Sequence, residues 1–85
     1  MHPDRFNNLT PVEAARAAMQ VVTELQKFHS KEAQVHGITA AFVLYLERFD
    51  LDAQDVVTKT KNLMSFVETR RPEFNAVAMY LQEEL

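Results

Sequence analysis

The sequence predicts an all-α fold: a compact, bundle-like single domain of four helices. Three observations predict it. The chain has one glycine and three prolines, too few for the turns that a sheet requires. Apolar residues recur at three- and four-residue spacing in four segments. The length of 85 residues fits one domain without a linker. We therefore expect a flexible N-terminal arm over residues 1–9 and a single helical domain over residues 10–85.

The first helix is predicted to begin at Thr10 and to end near Phe28. Thr10 is a good N-cap and Pro11 fits the first helical turn, while Glu13 can reach back to complete a capping box. Its apolar stripe consists of Ala15, Ala18, Val22 and Leu25.

The second helix is predicted to start after the cap residue Ser30 and to continue through Gly37. Glycine inside a helix costs about 1 kcal/mol relative to alanine, so the glycine weakens this helix without ending it. In the alternative interpretation, a long first helix ends at Gly37 as its C-terminal cap and a new helix starts at Thr39. The stripe that favours one continuous helix consists of Val35, Ile38, Phe42, Leu46 and Phe49.

The second helix also contains the most informative segment of the chain, an uncharged run from Gly37 to Leu46. Eight of its last nine residues are apolar, although a quarter of all residues are charged. A helix that is apolar on every side has to be covered on every side. The run therefore predicts either a central core helix or a subunit interface, and we expect a homodimer because a second copy would enlarge the small core.

The third helix is predicted to be capped by Asp52 and to continue to Arg70 and Arg71 at its C-terminal end. Pro72 then stops it, because the residue before a proline is pushed out of helical geometry. The fourth helix is predicted to start at Pro72 or Glu73. The third stripe is Ala53, Val56, Val57, Thr60, Leu63, Met64 and Val67, and the fourth is Phe74, Val77, Ala78, Leu81 and Leu85.

The charge pattern disfavours nucleic acid and membranes as partners. The net charge is −3, and acidic and basic residues are mixed along the chain. Lys59 and Lys61 lie about 200° apart on a helix and cannot share one face. The longest apolar run is about half of what a bilayer span requires, and the N-terminus lacks a signal pattern. We expect a cytoplasmic protein.

No pattern indicates catalysis, a cofactor or a metal. The chain has no cysteine and no glycine-rich loop. On one continuous helix His29, Glu32 and His36 would share a face about 60° wide, as zinc or iron ligands could. A helix that starts after Ser30 leaves His29 outside that face. The acidic residues from Glu47 to Asp55 resemble a calcium loop only at its start, since Asp55 and Lys61 replace the required glycine and glutamate.

Aromatic and methionine residues are the best candidates for partner binding, because interfaces are enriched in them. The candidates are Phe42, Tyr45, Met79 and Tyr80. Ordinary core packing is the alternative, and the helical phase of Phe42 favours it. The sequence thus predicts a small non-enzymatic protein–protein interaction or regulatory module that acts as a homodimer and binds a further protein. The alternatives are a nucleic-acid-associated regulator, in which basic side chains would converge, and a metal-binding helical bundle.

Overall fold

The computed structural model describes residues 9–85. Helices make up 77% of the described residues, and a two-stranded hairpin joins the last two helices, so the predicted all-α fold is confirmed. Residues 1–8, most of the predicted arm, lie outside the described part of the chain. The elements are α1 (Pro11–Leu25), α2 (Lys31–Phe49), α3 (Ala53–Met64), β1 (Ser65–Phe66), β2 (Thr69–Arg70) and α4 (Pro72–Glu84).

Side-chain caps start the first three helices where the sequence predicts them. The backbone N–H of Glu13 donates to the Thr10 hydroxyl at 3.1 Å. Ser30 accepts a bond from the N–H of Ala33 at 3.1 Å, and Asp52 accepts one from the N–H of Asp55 at 2.9 Å. Each bond satisfies one N–H that the helix itself leaves unpaired.

The helix α2 runs through Gly37, so the interpretation that ends a helix there is wrong. No described glycine has a positive φ, which a C-terminal glycine cap requires. A Cβ atom at Gly37 would lie 3.7 Å from Cδ2 of Leu25, an ordinary van der Waals distance. The αL cap comes instead at Asp50, with φ of 54°. The preceding helix α1 ends at Leu25, three residues before the predicted Phe28.

The prediction that the third helix continues to Arg70 and Arg71 is also wrong. The helix ends at Met64, and strands β1 and β2 pair antiparallel with Ser65 opposite Arg70. Val67 begins the two-residue turn with φ of 60°, and 85% of its surface is exposed. A β-branched residue rarely adopts a positive φ, and such turns usually contain Gly, Asn or Asp. The segment therefore gives no local signal of a hairpin.

The core lies between α1 and α4, which form the main helix pair of the described structure. Ala15 on α1 and Phe74 on α4 are each only 6% exposed. Val77 completes the buried cluster, and the side chain of Tyr80 adds a hydrogen bond between the two helices at one edge. Partly buried residues pack around the cluster: Ala14, Met19, Val22, Met64 and Leu81.

The helix α2 contributes no buried residue to this core. The molecule measures 36 × 30 × 19 Å. Helices pack with their axes about 8–10 Å apart, so the 19 Å direction holds only two layers of helices. In a slab of two layers every helix keeps one face in water. The single chain therefore does not make α2 a central core helix, although α2 contains the most apolar segment of the sequence.

Candidate docking surface

One side of α2 presents a continuous apolar surface, which we call the α2 face. At 100° per residue its side chains lie within about 100° of one another around the helix axis. The uncharged run supplies the middle of the face. Its members are Val35, Ile38, Phe42, Tyr45, Leu46 and Phe49.

The exposure of the α2 face changes along the helix. Val35 and Ile38, in the N-terminal half, are exposed, and Tyr45 is 64% exposed. Phe42 and Phe49 are half-buried. Large apolar side chains that lie together in water are uncommon on monomeric proteins and usually mark an interaction site. The N-terminal half of the face is thus exposed throughout, whereas Tyr45 is the exposed member of the C-terminal half.

Aromatic contacts organise the C-terminal part of the face. The rings of Tyr45 and Phe49 stack with centroids 6.0 Å apart and an interplanar angle of 27°. The guanidinium carbon of Arg48 lies 5.3 Å from the centroid of the Phe49 ring. These contacts hold Tyr45 against its own helix, so its ring offers an ordered surface with little side-chain freedom left to lose on binding.

The four predicted partner-binding residues fall on two helices. Phe42 and Tyr45 lie on the α2 face. Met79 is exposed on α4, about 140–160° around the helix from the buried Phe74 and Val77. Tyr80 is half-buried, and its hydroxyl donates a hydrogen bond of 2.5 Å to Oε1 of Gln26. The structure therefore gives Tyr80 a role in joining α4 to α1.

Sequence reasoning placed Val35 and Ile38 in a core stripe, but both are exposed. It also missed the hairpin tip, where Phe66 and Val67 are exposed. The Arg71 guanidinium carbon lies 5.6 Å from the centroid of the Phe66 ring. The uncharged run is the signal that could have identified the α2 residues as surface. The hairpin carries no comparable signal.

Two basic residues, Lys59 and Arg71, form contacts with other groups of the chain. A cavity of about 350 Å³ has both Lys59 and Arg71 in its wall. Lys59 forms an ion pair with Asp55 at 3.1 Å. Nε of Arg71 donates to the carbonyl oxygen of Leu63 at 2.8 Å. The cavity is large enough for a small molecule, but the Lys59 and Arg71 side chains in its wall already bind other groups of the chain. Its remaining wall consists of Leu9, Ala14, Thr60, Asn62 and Leu63.

The candidate metal ligands are divided by the start of α2. His29 precedes the cap residue Ser30, while Glu32 and His36 lie on the helix. The Ser30 hydroxyl donates to Oε2 of Glu32 at 3.0 Å. Hydrogen bonding by its own backbone N–H, and then by this hydroxyl, lowers the pKa of Glu32. Within residues 9–85, no group of three His, Cys, Asp or Glu side chains is arranged to hold a metal ion.

Compared with known proteins, the chain matches no family model, and no curated protein and no solved structure is significantly similar to it. In the described part of the chain, none of the helices has both the length and the apolar character needed to cross a bilayer. The functional proposal therefore rests on the surface of the chain, where the α2 face groups six large apolar residues on one helix.

Proposed function

We propose that this chain is a small, non-enzymatic interaction module that binds and modulates a protein partner through the α2 face. The observation that carries the proposal is the exposure of Val35, Ile38 and Tyr45 on a helix with no buried residue. A soluble monomer rarely leaves such a helix in water. A partner that covers the face removes this apolar area from water, and that burial drives binding.

The shape of the α2 face favours a helical partner. The helix has 19 residues, so the face is about 28 Å long. A long apolar stripe of this kind fits the apolar stripe of a second helix, with ridges of one packed into the grooves of the other. The uncharged segment contributes shape and apolar area, while charged residues are confined to the two ends.

The alternatives have less support from the described residues. For a nucleic-acid-associated regulator, Lys59 and Arg71 would have to exchange their contacts with Asp55 and Leu63 for phosphates. For a metal-binding bundle, His29 lies outside the helix that holds His36. We propose a cytoplasmic location, because a chain without cysteine needs no oxidising compartment to form disulfides.

Site-specific photo-crosslinking in the native cell tests the proposal. A benzophenone amino acid replaces Tyr45, and the matched control places it at Phe66. The two aromatic residues have nearly equal exposed fractions, 64% and 65%. We expect a discrete cross-linked product from position 45 that excess wild-type chain suppresses and excess Ile38→Glu chain does not. A product of equal yield at both positions, or none at position 45, would show that the α2 face is not the binding surface.

A further inference from the structure

We infer that the occupant of the α2 face is a second copy of this chain, packed antiparallel so that a two-fold axis passes near the middle of α2, between Ile38 and Phe42. The inference rests on the proposed function and names the partner of the same surface. Three observations on α2 carry it: the exposed apolar side chains, the placement of charge at the two helix ends, and the spacing of the apolar residues along the face.

The exposed side chains of the α2 face are large and apolar. Val35 is 61% exposed, Ile38 43% and Tyr45 64%. No residue of α2 is buried. Single apolar residues are normal on a protein surface, but a contiguous group of this kind usually marks an interface.

The charges at the helix ends select the antiparallel orientation. Lys31 begins α2 and lies in line with Val35 and Ile38, while Asp50 caps its C-terminal end. An antiparallel pair places Lys31 beside Asp50 of the partner subunit, and the two-fold axis repeats the contact. The helix dipoles also oppose each other in this orientation. A parallel pair would instead bring the two Lys31 side chains together.

The side chains along α2 agree with the same register. If Lys31 lies opposite Asp50 of the partner subunit, the middle of the contact is level with residues 40–41, and the face residues on either side of that level, Ile38 and Phe42, meet across the axis. Val35 then lies across from Leu46 of the partner subunit. The well-exposed N-terminal half of one face thus covers the half-buried C-terminal half of the other. Both halves lose contact with water in a single closed interface.

Sedimentation equilibrium on the full chain, from about 1 to 100 µM, tests the association. We expect a dimer for the wild type and more than tenfold weaker association for Ile38→Glu, because a carboxylate enters the apolar face. Val21→Glu is the matched control, since Val21 and Ile38 are both 43% exposed, and it should stay dimeric. A wild-type monomer throughout this range, or an Ile38→Glu chain as dimeric as the wild type, would overturn the inference.

Charge reversal tests the orientation. Lys31→Glu and Asp50→Lys should each weaken self-association by roughly threefold to tenfold, because each creates two like-charge contacts. An equimolar mixture of the two variants restores both pairs and should associate more tightly than either variant alone. Asp50→Lys carries the same backbone strain in the mixture, so that strain cannot explain the recovery. A mixture no tighter than its components would contradict the antiparallel pairing.

The two proposals fail in different ways. If the benzophenone at position 45 captures a different protein while the purified chain stays monomeric, the α2 face binds a partner but the partner is not a second copy. If position 45 gives no specific cross-link, the proposed function itself fails. A cross-linked product with twice the mass of the chain supports both.

Discussion

The helices α4 and α2 differ in how far their own chain buries their apolar stripes. In α4 the apolar stripe meets α1, and Phe74 and Val77 become buried. In α2 a longer apolar stripe meets little of its own chain, and no residue becomes buried. The stripes of the two helices look alike in the sequence. The difference between them shows that an apolar stripe in the sequence does not predict whether the helix's own chain will bury it.

The comparison also separates two sources of stability. The α1–α4 pair is held by side-chain burial, whereas α2 depends on its own hydrogen bonds, its Ser30 cap and a few neighbours. A helix without much tertiary packing is marginal in water. We therefore expect α2 to open locally at a lower free energy than α4 when the chain is alone.

The largest expected effect comes from Phe74→Ala. Removal of a buried phenylalanine typically costs about 3–5 kcal/mol, because apolar contact is lost and a cavity remains. A chain of 85 residues has a total stability of roughly 4–13 kcal/mol. Ile38→Ala on the α2 face should cost about 0.5 kcal/mol or less in the monomer. Urea denaturation of dilute protein measures the loss of unfolding free energy in both variants. Equal losses would contradict the view that α4 is buried in the core and α2 is not.

The two tyrosines give a smaller contrast. Tyr80→Phe removes the bond to Gln26 between α4 and α1, and we expect a loss of about 0.5–1.5 kcal/mol. Tyr45→Phe leaves the stack on Phe49 in place and should leave monomer stability unchanged. Thermal unfolding of the two variants against the wild type checks the contrast. A larger loss for Tyr45→Phe would mean that α2 is part of the folded core.

Gly37→Ala should stabilise α2 by up to about 1 kcal/mol, the difference in helix propensity between the two residues. The added Cβ meets Leu25 at an ordinary distance, so no clash opposes the gain. Residue-resolved hydrogen exchange should show slower exchange along α2 and little change in α4. Faster exchange in α2 would mean that the approach of Leu25 requires the glycine.

The smallest effect concerns Glu32, whose pKa is lowered from an ordinary value of 4.5. A lowered pKa in the folded state adds stability above the ordinary value, and this is lost as the pH falls through the folded pKa. The Ser30 hydroxyl is the second cause of the shift, so Ser30→Ala should raise the pKa of Glu32. NMR titration of its carboxyl group measures this, and an unchanged pKa would assign the shift to the backbone alone.

Local chemistry made the helix starts predictable, since Thr10, Ser30 and Asp52 act on N–H groups only three residues away. The hairpin was not predictable, because Val67 adopts a conformation that its own side chain opposes. The exposure of Ile38 could not be predicted from the apolar stripe of α2, because core helices and interface helices have the same spacing of apolar residues. Tyr80 forms a hydrogen bond with Gln26, which lies 54 positions earlier in the sequence, and no rule of residue spacing predicts such a contact.

Hydrogen exchange at two protein concentrations tests the central proposal, that α2 is left partly uncovered by its own chain and that a second copy covers it. In dilute monomer we expect amides from Val35 to Leu46 to exchange much faster than those near Val77 in α4. At high concentration the amides of α2 should become protected while those of α4 change little. Amides of α2 that are as protected in dilute solution as those of α4 would contradict the account.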